Sequence, residues 1–525
     1  MRTDQPSTHD TRNVHGSGGP ESPARLRLRP SDDPARMRPK PLGVTDADAS
    51  GAIVGLHVAD ARHHLHVLGP TGTGKSTLLL NYTMAEVWAG RGVAVFDPKG
   101  DLTRDLLDRL PPETGQRLVL IDPDETVAPA ALNLLELAHD PYDTADQLVG
   151  VMAKVWAATW GPRTDDLARH ALLTLMQRPG ASLAELPMLL ADRRVRQHIL
   201  ATTPDRDRDG RDRDGWHVDL EGFWAWWDEQ SPAVAAQLAG PLLSKLRAVL
   251  SRRFVAGLFG VPRSTFRLDD ILNGGILLVR LPKAMGEDTV RLTGSLLLAA
   301  LLHTAGRRAA LPESQRLDAT LVIDEAHNFV NLPIGLDDAL AETRALRLSL
   351  LLAHQHLGQL SRSMFQAIDA NARSKVFFSL APADADDLAH HVKPYFAAED
   401  LIHRDAYGMV CRLVIAGRNG EPFTLRARPA PPVWPGRAQL LRQAARARGL
   451  PATERKQLAD TRRLGPNAQP ARKTTQVPDT ESELEPDLLD TNRFDESDEF
   501  GNRVGDVLGE DGPILPPSPR PGVRP

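Results

Sequence analysis

Residues 69–77 read GPTGTGKST, and the fold that the rest of the chain predicts follows from this stretch. It fits the pattern G-x-x-x-x-G-K-[ST], follows the apolar run HLHVLG (64–69) and opens a helix-like run, which is the context that this pattern requires. Glycines here let the backbone N–H groups turn toward phosphate oxygens, and the next helix adds the positive end of its dipole. The sequence therefore predicts a phosphate loop that binds a nucleotide through Gly69, Thr71, Gly72, Thr73, Gly74, Lys75, Ser76 and Thr77.

A pair of adjacent carboxylates ends a second apolar run, LVIDEAH (321–327). Two carboxylates at the end of a buried strand are costly unless a cation and hydrogen bonds satisfy them. We therefore expect Asp324 to share a Mg²⁺ ion with the Ser76 hydroxyl, while Lys75 reaches the β- and γ-phosphates. Glu325 is then placed to orient and polarise the attacking water. The predicted cofactors are ATP and Mg²⁺, with the loop and the acidic pair facing each other across neighbouring strands.

The letters DEAH (324–327) also name a group of RNA helicases, but the surroundings do not match that group. Such a helicase follows its box with a Ser-Ala-Thr segment and a second nucleotide-binding half, and no Ser-Ala-Thr occurs in this chain. The next strand ends instead in LLAHQH (351–356), so His327 is interpreted as incidental. Gln355 lies at the tip of this apolar strand and is interpreted as a sensor of the γ-phosphate, with a strand-end cap as the alternative.

Arg344 and Arg347 lie on the helical run that leads into the strand before Gln355. In ring ATPases an arginine from a neighbouring subunit completes the site and accelerates hydrolysis. Arg344 is the first candidate for this role and Arg373 the second. The alternative is that these are ordinary arginines on a solvated helix surface.

Continuous apolar runs recur on both sides of a long middle segment, as is typical of parallel strands that are covered on both faces. They are VAVFDPKG (93–100), RLVLIDP (117–123), GILLVRLP (275–282), LSLLLAHQ (348–355) and KVFFSLA (375–381). The middle, roughly 141–270, shows helical patterns instead. The simplest architecture is an α/β nucleotide-binding core with a mostly parallel central sheet, interrupted by an all-helical insertion.

Composition sets the ends of this core, because both termini are rich in Pro, Gly and charged residues and predict disorder. The C-terminal tail begins with a basic stretch, GRAQLLRQAARARGL (436–450), that is compatible with one amphipathic helix, and an acidic run follows. The predicted segments are a disordered tail (1–41), the first part of the core (42–140), the helical insertion (141–270), the second part of the core (271–434) and a mostly disordered basic-then-acidic tail (435–525).

Overall charge and cysteine content exclude several classes. The net charge of −5 provides no general basic field for nucleic acid, so any such surface must be local. Cys411 is the only cysteine, which rules out a disulfide framework within the chain and is compatible with a reducing compartment. Because the longest apolar run falls short of the ~20 residues that span a bilayer, we expect a soluble protein without a membrane span.

Several of these stretches together make the chain resemble the type IV secretion coupling proteins, the TraG/TraD-like conjugative ATPases of the HerA–FtsK superfamily. The resemblance covers roughly residues 42–430 and is carried most specifically by VFDPKGDL, WGPRTDDLARHALLTL, LVIDEAHNF and ETRALRLSLLLAHQHLGQL. It implies a RecA-like P-loop NTPase core, a homo-hexameric ring, and ATP-driven movement of single- or double-stranded DNA through the pore. By motif match it implies ATP-site roles for Lys75, Ser76, Asp324, Glu325 and Gln355, and an arginine-finger role for Arg344. Asp97 and Lys99 lie beside the site with roles that the motif leaves open.

The N-terminus departs from this family, whose membrane-bound members begin with transmembrane helices. We therefore expect a cytoplasmic protein, either a DNA motor in its own right or one recruited to the inner face of the membrane by a partner. Two alternatives stay open. One is a nucleotide-switched platform that recruits relaxosome, effector or secretion-channel proteins, and the other is a HerA-like translocase that works with a partner nuclease in repair or defence.

Overall fold

The computed structural model of the protein describes residues 33–45, 51–137, 140–201, 220–455 and 457–458. Most of both predicted tails, residues 1–32 and 459–525, lies outside the described residues.

Strands form where the sequence has short runs of branched and aromatic apolar residues. In chain order they are β1 (Lys40–Thr45), β2 (Ile53–Leu56), β3 (Leu65–Leu68), β4 (Gly92–Asp97), β5 (Leu118–Ile121), β6 (Ile276–Arg280), β7 (Ala319–Ile323), β8 (Leu348–His354), β9 (Ser374–Phe377), β10 (Gly408–Arg412), β11 (Val414–Ile415), β12 (Arg418–Asn419) and β13 (Phe423–Arg426).

The helices connect these strands, lie in the segment between β5 and β6 or, in the case of the last one, follow β13. They are α1 (Val58–Ala61), α2 (Lys75–Trp88), α3 (Asp101–Arg109), α4 (Pro141–Val155), α5 (Pro162–Met176), α6 (Leu186–Ala191), α7 (Arg193–Ala201), α8 (Leu220–Asp228), α9 (Pro232–Leu250), α10 (Arg253–Phe259), α11 (Leu268–Leu272), α12 (Glu287–Gly306), α13 (Leu336–Ala345), α14 (Arg362–Asn371), α15 (Pro382–Leu388), α16 (Ala398–Ile402) and α17 (Arg437–Arg446).

One large sheet organises the molecule. Its 11 strands are ordered β2-β1-β13-β10-β9-β3-β8-β7-β4-β6-β5. The strands from β9 to β5 run parallel, and the four beyond β9 pair antiparallel. The structure thus confirms an α/β fold with a mostly parallel sheet. It corrects one detail, since β8 lies between the phosphate-loop strand β3 and the carboxylate strand β7, which are therefore not neighbours.

The two faces of the sheet are covered by different helices. Alternate residues of a strand point to opposite faces, and in β4 Val93 and Val95 join a core with α2 and α3, whereas Ala94 and Phe96 join a core with α12. Because both faces are buried, these strands carry no polar alternation, which is why continuous apolar runs predict them.

Helices α4 to α11 lie in the described parts of this segment, 141–201 and 220–272, and their buried residues continue the core on the α12 face of the sheet. In the described part of the chain, α9 is long and apolar enough to cross a membrane by length and composition, with a mean hydropathy of 1.2 in its most apolar window and 28% of that window buried. The same helix contains Pro241, Lys245 and Arg247.

The chain near both predicted tail boundaries is structured. Residues Pro34–Met37 form a 3-10 turn and β1 begins at Lys40, so the tail predicted to reach residue 41 is wrong at its end. After residue 435, α17 packs on β5 and α3 through Leu441 and Ala445. It also forms ion pairs with the loop after β5, at 2.8 Å between Arg442 Nη1 and Asp122 Oδ2 and at 3.0 Å between Arg446 Nε and Glu125 Oε2.

A buried ionic cluster links the first residue of β1 to helix α2 and to strands β7 and β8. Lys40 Nζ lies 3.2 Å from Glu86 Oε2 and donates to Thr320 Oγ1 at 2.8 Å and to Ser349 Oγ at 3.0 Å. Arg91 Nη2 donates to the other oxygen of Glu86 at 2.7 Å. These charges are fully enclosed but mutually satisfied, which is the condition under which charge is tolerated in a core.

Candidate nucleotide-binding site

The phosphate loop joins the end of β3 to the start of α2, as its sequence context predicts. Gly72 and Gly74 take positive φ angles of 87° and 114°, a backbone region that residues with a side chain rarely adopt. At Gly69 an added Cβ would lie 2.7 Å from the Cβ of Phe378, so a side chain there would push the loop off the sheet. The bend therefore needs glycine at these positions.

The other loop residues present polar groups at different depths. Thr73 Oγ1 donates to the Pro70 carbonyl at 2.9 Å and braces the turn. Thr71 and Ser76 are exposed, Thr77 is partly buried, and Lys75 is buried in the first turn of α2. The exposed Ser76 hydroxyl at a helix N-terminus leaves an oxygen ligand accessible beside a positive dipole end.

Lys75 brings the loop and the acidic pair together. Its Nζ lies 2.9 Å from Asp324 Oδ1 and 3.2 Å from Glu325 Oε1, and all three side chains are buried. The contact spans β8, the strand that separates β3 from β7. Residues almost 250 positions apart in the sequence therefore meet at the carboxyl edge of the parallel strands, where ligands of open α/β sheets bind.

Glu325 is held by several donors besides Lys75. Lys99 Nζ and Gln355 Nε2 donate to its Oε1 at 2.9 and 2.5 Å, and Gln359 Nε2 donates to Oε2 at 3.2 Å. Burial alone raises the pKa of Glu325, but the Lys75 ammonium and the hydrogen bonds from Gln355 and Lys99 outweigh it and lower the pKa to about 2. The carboxylate is therefore ionised at neutral pH.

The pKa of Asp324 is shifted in the opposite direction to that of Glu325, although burial and the Lys75 ammonium act on both. Burial raises its pKa above the ordinary value, the Lys75 ammonium opposes this, and the Glu325 charge adds to it. Its Oδ1 accepts the Glu325 N–H at 3.1 Å. Glu325 itself has φ 48° and ψ 55°, a left-handed conformation that a non-glycine residue adopts only when its surroundings impose it.

The DPKG segment (97–100) contributes Asp97, which shapes the turn, and Lys99, which contacts the acidic pair. Asp97 Oδ1 accepts the N–H groups of Lys99 and Gly100 at 3.0 and 2.7 Å, and its Oδ2 accepts the Thr103 N–H at 2.8 Å. Asp97 thus closes the turn into α3, and this turn presents Lys99 to Glu325. The sequence pattern places both residues near the site without separating these two roles.

Gln359 is a site residue that the sequence analysis missed. It belongs to the 3-10 turn Leu357–Gln359 after β8, and its Oε1 also accepts the Gln355 N–H at 3.0 Å. Two glutamines four residues apart, directly after a buried strand, were the available signal. Gln355 also meets the phosphate loop, where the Thr71 hydroxyl donates to its Oε1 at 3.3 Å.

His327 is placed beside the acidic pair, with its Nδ1 3.9 Å from Glu325 Oε2. Burial lowers its pKa to about 4 despite the nearby carboxylate, so the ring is neutral at neutral pH. The interpretation of His327 as incidental stays a prediction.

Arg344 lies away from this chain's own phosphate loop. It is exposed at the end of α13, whereas Gln355 follows β8, so the seven residues of β8, about 20 Å of strand, separate the two ends of the sheet. Arg344 lines a cleft of about 990 Å³ together with Arg62, Arg316 and Glu313. Arg347 instead pairs with Glu313 at 3.5 Å, and Arg373 bonds to Asn419 Oδ1 at 3.0 Å.

Comparisons with known proteins establish the fold. No protein-family model matches the chain, and no curated protein matches it. Among solved structures, the bacterial conjugative coupling protein TrwBdeltaN70 in an unbound form aligns with a TM-score of 0.52 and 17% identity, over 80% of this chain and 97% of that chain. TrwB in complex with ADP and Mg²⁺ aligns with a TM-score of 0.52 and 18% identity over 80% and 98%, and its complex with the ATP analogue ADPNP with a TM-score of 0.53 and 18% identity over 80% and 97%. The chain therefore has the fold of the coupling protein TrwB, as the resemblance implies.

Proposed function

We propose that this chain is an ATPase that assembles as a homo-hexameric ring and moves DNA through its pore. The observation that carries the proposal is the meeting of Lys75 with Asp324 and Glu325 at the carboxyl edge of a parallel sheet. An exposed Ser76, a buried lysine facing two carboxylates and glycines in left-handed conformations fit a triphosphate with its Mg²⁺. TrwB, which shares the fold, has been crystallised with ADP and Mg²⁺.

The residues of this chain divide the work of hydrolysis. The loop N–H groups and Lys75 would bind the phosphates, and Ser76 and Asp324 would hold the Mg²⁺ ion, which would neutralise charge on the phosphate oxygens. Glu325 accepts a hydrogen bond from water and orients it toward the γ-phosphorus. Water attacks that atom and gives up a proton to the Glu325 carboxylate, the bond from the γ-phosphorus to the bridging oxygen breaks, and ADP and phosphate are formed. Gln355, which contacts both Glu325 and the loop, reports the presence of the γ-phosphate.

Arg344 contributes to the neighbouring subunit's site in this proposal. Its exposed position at the amino edge of the sheet, far from its own loop, makes it available only to another chain. An arginine supplied in this way stabilises charge in the transition state and couples hydrolysis to assembly.

Purified protein tests the motor proposal through its ATP turnover. We expect turnover to rise several-fold on addition of single- or double-stranded DNA, and electron micrographs with ATP and DNA to show closed rings. Turnover that is indifferent to both forms of DNA, in particles that stay monomeric, would contradict the motor proposal while leaving ATP binding in place.

The exposed apolar surface of α9 favours a second candidate, a nucleotide-switched platform that recruits relaxosome, effector or secretion-channel proteins at the inner face of the membrane. Val234 on this helix is exposed, and Trp226 on α8, the preceding helix in the chain, is 49% exposed. A recruiter loses its partner when Val234 and Trp226 are replaced by Asp, while its basal turnover stays slow and indifferent to DNA. A HerA-like translocase, in contrast, keeps DNA-stimulated turnover and needs a separate nuclease to cut.

A further inference from the structure

An exposed tyrosine packs against the phosphate loop from the side away from the acidic pair. An added Cβ at Gly74 would lie 2.9 Å from Tyr407 Cδ1, so the edge of the ring touches the loop. The side chain nevertheless remains 45% exposed. A large aromatic residue that is fixed at one edge and open to solvent elsewhere presents a surface on which a flat ligand can lie.

The backbone holds Tyr407 in this position. Its N–H donates to the Thr73 carbonyl of the loop at 2.8 Å, and its own carbonyl accepts the Ala427 N–H at 2.8 Å. The φ angle of Tyr407 is 67°, in the left-handed region that bulky residues avoid. Such a conformation persists only where the surroundings determine it, and it is found preferentially at ligand sites.

The order of strands in the sheet places different groups on the two sides of the phosphate loop. The loop follows β3, and the strands on one side, β8 and β7, carry Gln355 and the acidic pair that face the γ-phosphate. The strands on the other side are β9 and β10, and Tyr407 immediately precedes β10. If the γ-phosphate end lies toward β7, the nucleoside extends to the opposite side, where the exposed ring is.

We propose that Tyr407 is the stacking platform for the nucleobase of the bound nucleotide, an inference that rests on the proposed function of the loop. Stacking uses the face of the base and not its edge, so it distinguishes bases by size more than by hydrogen-bonding groups. ATP and GTP are therefore expected to bind with similar affinity, and CTP and UTP more weakly.

Calorimetric titration of the full chain with Mg²⁺–ATP and, separately, with Mg²⁺–tripolyphosphate tests this platform. Replacing Tyr407 by Ala is expected to weaken ATP binding by roughly 5- to 150-fold, the range that loss of a stacking aromatic produces. Tripolyphosphate has no base, so its affinity should stay within about 2-fold of the wild type. Tyr407→Phe keeps the ring and should bind both ligands as the wild type does.

Two further variants test whether a loss of ATP affinity comes from the missing ring or from a disturbed structure. Tyr407→Asn also lacks the ring but suits the left-handed backbone, so it should reproduce the effect of Tyr407→Ala with an unchanged melting temperature. Tyr395, whose phenol hydrogen-bonds to Glu421, is a similarly exposed tyrosine, and Tyr395→Ala serves as the control with wild-type affinity.

The outcomes separate this inference from the proposed function. Equal ATP affinity in the wild type, Tyr407→Ala and Tyr407→Asn overturns the stacking role alone, provided that Lys75→Ala still abolishes binding. An equal loss of ATP and tripolyphosphate binding also overturns it, because Tyr407 would then shape the loop. If the wild type binds neither ligand, both the nucleotide site and its platform are refuted.

Discussion

At Glu325 a left-handed backbone directs one carboxylate toward lysine and glutamine donors from three different segments of the chain. The conformation costs on the order of 1–3 kcal/mol, which the charged hydrogen bonds offset. In the proposed mechanism a triphosphate competes for Lys75, so nucleotide binding would loosen part of this arrangement. The carboxylate is then free to take a water molecule in place of the ammonium.

Glu325→Gln should separate binding from hydrolysis. The amide keeps the size of the side chain but is a poor acceptor of a proton, so turnover should fall by about 10²- to 10⁴-fold while ATP affinity is kept. Lys75→Ala, in contrast, should lose ATP binding itself. Calorimetric ATP titration and phosphate release measure the two quantities, and an active Glu325→Gln enzyme would contradict the assigned role.

Lys99→Ala tests a residue whose role the motif leaves open. Its ammonium donates to Glu325 but has no contact with the described phosphate loop, so the loss should appear in kcat rather than in ATP affinity. We expect kcat to fall by roughly 10-fold, the cost of one charged hydrogen bond. Arg104→Ala on α3, the helix that follows Lys99, changes an exposed surface residue and is the control. A loss of ATP affinity as large as that of Lys75→Ala would show that Lys99 binds phosphate instead.

Site residues were predictable where one short pattern contains both the chemistry and its local structure. The phosphate loop and the acidic pair are of this kind, because each follows an apolar strand directly. Gln359 was not predictable, since its contact with Glu325 depends on how the turn Leu357–Gln359 folds back after β8. Tyr407 precedes a strand that carries no motif, and only the three-dimensional order of strands brings it to the loop.

At the scale of elements, the start of β1 is held by a cluster of charged residues inside the core, formed by Lys40, Glu86 and Arg91. The strand precedes the phosphate loop in the chain and pairs with β2 and β13. Lys40 reaches across to Thr320 on β7 and Ser349 on β8. The cluster thereby ties the antiparallel edge of the sheet to the strands that carry the site.

Lys40→Ala should destabilise the protein strongly. Removing Lys40 takes away one of the two cationic partners of the buried Glu86 carboxylate and the donor to the Thr320 and Ser349 hydroxyls, while Arg91 still pairs with Glu86. Loss of such buried partners costs about 1–3 kcal/mol. Lys154→Ala on the exposed face of α4 should change stability by less than about 0.5 kcal/mol and serves as the control. Urea denaturation followed by fluorescence checks both variants, and equal midpoints for the two would contradict a stabilising cluster.

The same cluster predicts an acid-dependent loss of stability. Burial alone raises the pKa of Glu86, but Lys40 and Arg91 lower it to about 2, against 4.5 for the free side chain. A carboxyl group with a lowered pKa in the folded state stabilises the protein above pH 4.5 and loses this contribution as the pH falls toward 2. The stability difference between wild type and Glu86→Gln should therefore shrink below pH 4.5, by roughly 1 kcal/mol per pH unit. Denaturation midpoints at pH 6 and pH 3 measure it, and a constant difference would refute the role of Glu86.

The identities of most elements follow from the sequence, but their ends do not. The apolar runs of β4, β6, β7 and β8 predict buried strands because both faces of the sheet are covered. Arg36 and Lys40, in contrast, made the end of the N-terminal segment resemble a solvated tail in the sequence. Their hydrogen-bond partners lie in distant segments and could not be predicted from local sequence. The same holds for α17, whose arginines pair with acidic residues after β5.

Over the whole molecule, the parallel half of the sheet and its helical segment were predictable, whereas the antiparallel edge was not. Strands β1, β2, β10 and β13 are short and mixed in polarity, and their pairing joins the two ends of the described chain. No local pattern specifies such a closure. The predicted segment boundaries at 140, 270 and 434 remain a proposal, since the helical segment shares its core with the sheet.

Mixing two inactive variants should restore activity if the ring proposal holds. Arg344→Ala keeps its loop and Lys75→Ala keeps its arginine, so a site formed between them is complete. Random assembly of equal amounts should recover at most about a quarter of wild-type turnover, because half the loops are intact and half of their neighbours supply arginine. Phosphate release by the mixture measures this. Failure of the mixture, with rings visible and each variant folded, would remove Arg344 from the site.

Strand β8 joins two of the proposed functional residues, with Gln355 at one end and Arg344 near the other. It is buried along its whole length, Gln355 follows it at the phosphate side, and α13 with Arg344 enters it from the other. A packed strand transmits a displacement without stretching. If the proposed ring forms, release of the γ-phosphate in one subunit would therefore shift the arginine that this subunit contributes to the next. ATP hydrolysis would then proceed in order around the ring and not at random, and turnover would depend on ATP concentration in a sigmoidal way.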